Sequence, residues 1–356
     1  MTDNDCIELL KRLVACPSTS RNEDGTADII EDFLCSQGVD NVVRLHSNVY
    51  ARSAVWNDAL PVLLLNSHHD TVKPSASWTR DPFSPDIVDG RLYGLGSNDA
   101  GASVVCLIAA FLHYYRIALP FNIILAISAE EEVTGEHGIR ALLPQLGRID
   151  MAVVGEPTML QAALGERGLV VLDCVSHGKR GHAARAEGGN ALYKALDDIN
   201  TLRKCRQQRI SQLLGPMSIT TTQIQAGTQH NIIPDECRWV VDVRTTDAYT
   251  NEETVELIRS LISSEATPRS TRIRASAISS DHPLVKAAVA MGAPTMVSPT
   301  TSDMSQMQFP SLKIGVGDSA RSHCADEFIC LDEISQGRQF YINYINTLAQ
   351  TIAAGE

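Results

Sequence analysis

The sequence predicts an α/β fold, and three observations carry that prediction. Short apolar runs at residues 61–66 (PVLLLN), 121–128 (FNIILAIS) and 151–155 (MAVVG) have the texture of strands buried on both faces of a parallel sheet. The apolar segment 101–115 lies between the first two, giving the strand, helix, strand alternation of a sheet covered by helices. At 356 residues the chain exceeds what one core usually reaches, so two domains are expected.

In chain order, Ile7, Leu10, Leu13 and Val14 recur at helical spacing. A second such pattern, Ile29, Ile30, Phe33 and Leu34, ends at Gly38, where a helix C-cap is expected. The three strands and the intervening helix follow. Near Gly168 the texture changes: 169–175 and 238–244 read as strands, and 191–202 and 253–262 as helices, which suggests a smaller inserted α+β unit. After Ala277 the chain returns with a helix from Pro283 and a strand around 313–316. The expected organisation is a first domain of residues 1–166 and 277–356, interrupted by a second at 167–276.

Composition narrows the function. Hydrophobic residues at 44% and charged residues at 20% are those of a globular protein, not a disordered one. A net charge of −12 argues against nucleic acid or an anionic membrane as partner and favours a small molecule. The nine cysteines form no C-x-x-C pair and are odd in number, so they read as reduced, mostly core residues. The first residues, MTDNDCIE, carry neither the basic nor the apolar region of a secretory signal, and the apolar stretch 102–112 is too short to span a bilayer. A cytoplasmic location is expected.

In an open parallel sheet, functional groups collect where strands end and loops begin. Metal-ligand residue types stand at several such ends. His68, in Ser67-His68-His69-Asp70, follows the first strand, and Asp70 is placed to take the other ring N–H. Asp99, in LGSNDAG, is either a helix cap or a ligand. Glu130-Glu131-Glu132 follows the second strand, where one carboxylate can bind metal while its neighbour stays free as a general base. Glu156, in Gly155-Glu156-Pro157, ends the third, and His323 lies in SHCADE near the end of the chain. Each alone is ordinary; the ordered set points to a metal centre. His69 could compete for the ion, but strand alternation points it the other way.

From H-x-D through N-D-A-G, A-E-E-E, G-E-P-T, G-H-A-A and S-H-x-x-D-E, nearly the whole chain resembles the dinuclear zinc exopeptidases and deacylases. That family includes acetylornithine deacetylase, succinyl-diaminopimelate desuccinylase, aminoacylase and glutamate carboxypeptidase. The resemblance implies a zinc-exopeptidase-like catalytic domain with a mixed, largely parallel sheet, plus an inserted α+β lid that makes a homodimer. It implies two zinc ions, with cobalt or manganese also compatible. His68 and Glu156 would bind one ion, Glu132 and His323 the other, and Asp99 would bridge them, with the Asp99–Ala100 peptide that follows it in the cis form. Glu131 would be the general base and Asp70 would orient His68.

The second-domain motif Gly178-Lys-Arg-Gly-His182 resembles the family segment whose histidine stabilises the oxyanion, although a basic hairpin turn reads equally well. Asn231 and Arg244 match substrate-binding positions, with a salt bridge to Asp242 as the alternative for Arg244. The implied reaction is amide hydrolysis of an N-acyl amino acid, foremost N-acetyl-L-ornithine to ornithine and acetate in arginine biosynthesis. N-succinyl-ornithine, N-succinyl-diaminopimelate or a dipeptide are the alternatives, and a non-catalytic binding protein of the same fold is more remote. A succinyl group would bring an additional carboxylate, which Lys179, Arg180 or Arg185 could answer.

Overall fold

Strands that are apolar along their whole length can be stable only if both faces are covered, and the computed structural model of the chain, which describes residues 1–185 and 189–354, meets that demand. The chain forms two compact units. The first contains Met1–Leu164, Ile278–Met296 and Ser302–Glu356; the second contains Gly165–Ala277 and the short return Val297–Thr301.

The sheet of the first unit runs in the order Val43–Leu45, Asn48–Arg52, Asn122–Ser128, Val62–His68, Met151–Val154, Ser311–Lys313 and Ala162–Glu166. Its centre is parallel: Val62–His68 pairs in parallel with both Asn122–Ser128 and Met151–Val154, and the latter pairs in parallel with Ser311–Lys313. The margins are antiparallel. Every residue of Val62–His68 and Asn122–Ser128 is buried. On one face Val62, Leu64, Ile124 and Ala126 pack with Ile139, Leu142 and Leu146 of the helix Ile139–Leu146, and with Met304 and Met307. Alternation along the strand turns Leu63 and Leu65 to the other face. The helix Ala102–Tyr114 packs there, itself covered by Leu331–Ala353 and Asp3–Val14, which explains why it is apolar all round.

The second helix covers Asp24–Ser36, and Gly38 follows it with a positive φ of 78°, the left-handed conformation expected just past a helix end. The returning strand is Ser311–Lys313, shorter and earlier than the 313–316 expectation. Gly315 and Gly317 leave the sheet and enter the loop facing Glu156.

The second unit is a four-stranded antiparallel sheet in the order Ser218–Ala226, Glu236–Thr245, Gly168–His177 and Glu265–Pro268. The helices Ala191–Arg203 and Asn251–Leu261 pack against it over a core of Val170, Leu172, Cys174, Trp239, Val241 and Val243. Trp239 is fully buried and donates its indole N–H to Ser176 Oγ at 3.1 Å. Among the described residues no helix is long and apolar enough to cross a membrane.

Candidate metal centre

Four of the candidate residues lie where three parallel strands end. His68 is the last residue of its strand, the turn holding Glu131 and Glu132 follows Asn122–Ser128, and Glu156 follows Met151–Val154 by one glycine. Ser67 Oγ donates to the Gly155 carbonyl at 2.7 Å and so ties the first of these ends to the third. Asp99 sits in the turn Ser97–Gly101 before the apolar helix, and its peptide bond to Ala100 is cis. His323 comes from the loop between Ser319–Arg321 and the strand Phe328–Cys330, with a positive φ of 59°.

These side chains gather about Asp99. His68 Nε2 lies 3.3 Å from Asp99 Oδ1 and 3.8 Å from Glu156 Oε1. His323 Nε2 lies 3.7 Å from the other oxygen of Asp99, Oδ2, and 2.9 Å from Glu132 Oε2. Asp99 thus turns one oxygen to each histidine. Potential ligand atoms of His68, Asp99 and Glu132 also lie within 4.8 Å of one another. A tetrahedral ion with bonds of about 2.1 Å separates its ligand atoms by about 3.4 Å, so imidazole and carboxylate donors at these spacings fit a divalent ion such as zinc.

A shell of hydrogen bonds fixes the donors. Asp70, fully buried, accepts the Glu131 N–H on Oδ1 at 3.0 Å, and on Oδ2 both the Glu132 N–H at 3.2 Å and the Ser20 hydroxyl at 2.7 Å. Its main-chain oxygen is 3.0 Å from His68 Nδ1 and its Oδ1 3.4 Å, so it both orients the histidine and holds the acidic turn. Glu23, also buried, accepts the Glu130 N–H at 3.2 Å. His69 faces away: its ring nitrogens meet Thr26 Oγ1 and the Ser47 carbonyl, both at 2.8 Å.

The electrostatics are those of crowded acids. Burial, with Glu156, Asp303 and Glu132 nearby, holds the Glu131 carboxyl well above its ordinary range, although His68 opposes this. Burial pushes Glu156 up to about 8 and Asp303 up to about 7. Asp303 was not read from the sequence; it accepts the Ser128 hydroxyl at 2.6 Å just beneath the acidic turn. Burial alone would lower His68, yet contacts with Asp70 and Asp99 and the charges of Glu131 and Glu156 outweigh it and hold its imidazole well above 6.5. His323, whose side chain is 54% exposed, is raised to about 9, chiefly by Glu132.

The three remaining candidates lie in the second unit. His182 is exposed in the short strand Gly181–His182, which pairs with Ile232–Ile233, and its Nδ1 accepts the Ala184 N–H at 3.2 Å. Asn231 is exposed beside it and accepts the Ala183 N–H on its main-chain oxygen at 3.0 Å. Arg244 forks onto both oxygens of Asp242 at 2.9 and 3.2 Å, the salt bridge that was the alternative to substrate binding.

Two histidines and two glutamates gathered about Asp99, beside the strand ends of an open α/β sheet, have the donor set of a metallohydrolase. Residues 64–347 match the model of peptidase family M20/M25/M40, and the chain belongs to that family. It is 31% identical to the succinyl-diaminopimelate desuccinylase of Paracoccus denitrificans (strain Pd 1222) over 276 residues, covering 72% of this chain and 71% of that one. The succinyl-diaminopimelate desuccinylase of Parvibaculum lavamentivorans is 26% identical over 374 residues, covering 95% and 94%. Among solved structures, aminopeptidase PepT from Bacillus cereus superposes with a TM-score of 0.78 at 17% identity, covering 98% of this chain and 99% of that one. The Bacillus subtilis YXEP protein, described as a dinuclear metal binding peptidase, gives 0.72 at 16% identity, covering 97% and 98%.

Proposed function

We propose that the protein hydrolyses the amide bond of an N-acyl amino acid, with two divalent ions, zinc foremost, held by His68 and Glu156 at one position, Glu132 and His323 at the other, and Asp99 at both. The observation that carries this reading is Asp99, with one carboxylate oxygen toward each histidine. When bound, the ions lower the pKa of a water toward neutrality and polarise the amide carbonyl. Glu131, held by Asp70 and raised by its buried surroundings, takes the proton of the attacking water and delivers it to the departing amine. His182 donates to the oxyanion, and Asn231 and Arg244 bind substrate, Arg244 exchanging Asp242 for a substrate carboxylate. The second unit also serves as lid and homodimer contact.

The names of the desuccinylase relatives favour a succinyl group, so N-succinyl-diaminopimelate is the first substrate and N-succinyl-ornithine the next. The second reading, N-acetyl-ornithine in arginine biosynthesis, rests on motif style. Release of free amine from these three compounds and from dipeptides, with and without chelator, tests the proposal. We expect one succinyl compound to be turned over, with activity lost on chelation and restored by zinc. The Glu131→Ala variant should lose at least about 100-fold. Turnover that survives chelation or Glu131→Ala would remove the mechanism; turnover of dipeptides alone would make the protein a dipeptidase.

A further inference from the structure

The loop carrying Asp99 and the loop carrying His323 come from distant parts of the sequence, and one carboxylate joins them. Glu327 is 2% exposed and lies four positions beyond His323. Its Oε1 accepts the N–H groups of Asn98 at 2.8 Å and of Asp99 itself at 2.9 Å, and its Oε2 accepts the N–H of Gly96 at 3.1 Å. Its main-chain oxygen accepts the Gly94 N–H at 2.9 Å. A second clip runs alongside: Asn98 Oδ1 accepts the Asp318 N–H at 2.9 Å, and Asn98 Nδ2 donates to the Asp318 carbonyl at 3.1 Å. A Cβ on Gly317 would meet Asn98 Oδ1 at 2.4 Å, so the two loops approach as closely as glycine permits.

We infer that Glu327 is a positioning residue that sets the spacing between Asp99 and His323, so that Asp99 Oδ2 and His323 Nε2, 3.7 Å apart, can share one ion. The inference rests on the metal-centre reading above. Both Glu327 oxygens are turned to backbone N–H groups, so we place the carboxylate as a holder of the centre. A carboxylate is needed because three buried N–H groups require acceptors on both oxygens. Glutamine offers one oxygen, and its amide group would face the Gly96 N–H with a second donor. Because the Asp99 N–H is itself gripped, loosening the grip moves the backbone from which the bridging carboxylate extends.

The test is zinc titration by calorimetry of the full-length wild type, Glu327→Gln and Glu327→Ala, after chelation and desalting. The wild type should take two equivalents per chain, and in Glu327→Gln at least one should weaken by about 10–100-fold, the usual cost of an outer hydrogen bond to a metal site. Activity of that variant should fall at limiting zinc and recover in excess zinc, with KM at saturating zinc unchanged. Wild-type zinc affinity at both positions in a folded Glu327→Gln would overturn the proposal, even if its melting temperature fell, because that is the result of a purely structural role. Should Glu327→Ala not fold, Glu327→Gln decides alone. A wild type that binds no zinc would instead remove the metal-centre reading itself.

Discussion

Asp70→Asn is the substitution whose consequence can be worked most closely from the structure. The carboxylate accepts three hydrogen bonds, from Glu131 N–H on Oδ1 and from Glu132 N–H and Ser20 hydroxyl on Oδ2, and Oδ1 also stands 3.4 Å from His68 Nδ1. Asparagine keeps one acceptor and adds one donor pair. Its best orientation places the amide nitrogen where Oδ2 was, since the Ser20 hydroxyl can rotate to accept, while Glu132 N–H is left facing a donor. One unpaired buried N–H costs about 1–3 kcal/mol. The bonds that survive lose their ionic character, and with it about half their strength, so the total is about 2–4 kcal/mol. The turn presenting Glu131 and Glu132 should loosen, and zinc affinity should fall about 10–100-fold. Ser20→Ala removes a single bond to the same oxygen and should cost only about 1 kcal/mol, which makes a graded series. Thermal unfolding of the chelated proteins and zinc titration of all three measure both quantities. An Asp70→Asn protein that matches wild type in zinc affinity and kcat would refute the reasoning, because the acidic turn would then be held by something else.

Burial lowers the His69 pKa to about 4, so below its unfolded value of 6.5 the unfolded chain takes up a proton that the folded one refuses. Its contribution to stability is complete above about pH 6.5 and is lost as pH falls toward 4, by about 3 kcal/mol in all. His69→Gln should therefore flatten the acid limb of melting temperature against pH, and an unchanged slope would count against it. A Cβ on Gly315 would meet the Glu156 carbonyl oxygen at 2.3 Å and its nitrogen at 2.6 Å, so Gly315→Ala must displace the backbone of a proposed ligand. We expect about 1–3 kcal/mol of destabilisation with weaker zinc binding, and unaltered titrations would show that this loop yields freely.

The central strands could be read from the sequence because a strand covered on both faces has no polar alternation to confuse it with a surface element, as in Val62–His68. The strand Ser218–Ala226 was missed for the opposite reason. Its sequence, SITTTQIQA, lies half-buried or exposed along its length and carries no apolar stripe. The ligand types were legible because each follows an apolar run or a glycine-rich turn, so position and chemistry coincide locally. Glu327, Asp303 and Ser20 had no such signal. Glu327 meets Asp99 across 228 positions and Asp303 meets Ser128 across 175, and only the folded chain makes such groups neighbours. The SHCADE motif did contain Glu327, but without the fold nothing distinguished a backbone acceptor from a solvated surface acid.

The crowding of acids is the feature that ties these observations to function. Asp70, Asp99, Glu131, Glu132, Glu156, Asp303 and Glu327 gather around two imidazoles. Six of these carboxyls fall into two kinds. Burial would raise Asp70 and Asp99 too, but His68 lies against both, and the balance holds them below the ordinary range. Burial and neighbouring carboxylates dominate at Glu131, Glu156, Asp303 and Glu327, and hold them above it, even though His68 and Lys313 draw Glu156 back down. A fold selected for stability alone would replace such acids with apolar side chains, since buried like charges cost more than they return. Such a gathering of acids, four of them just beyond the ends of three parallel strands, is what a site for dications requires. Positive charge brought to Asp99 would relieve the repulsion among its neighbours, and in the proposed mechanism Glu131 is the carboxyl left to take up a proton.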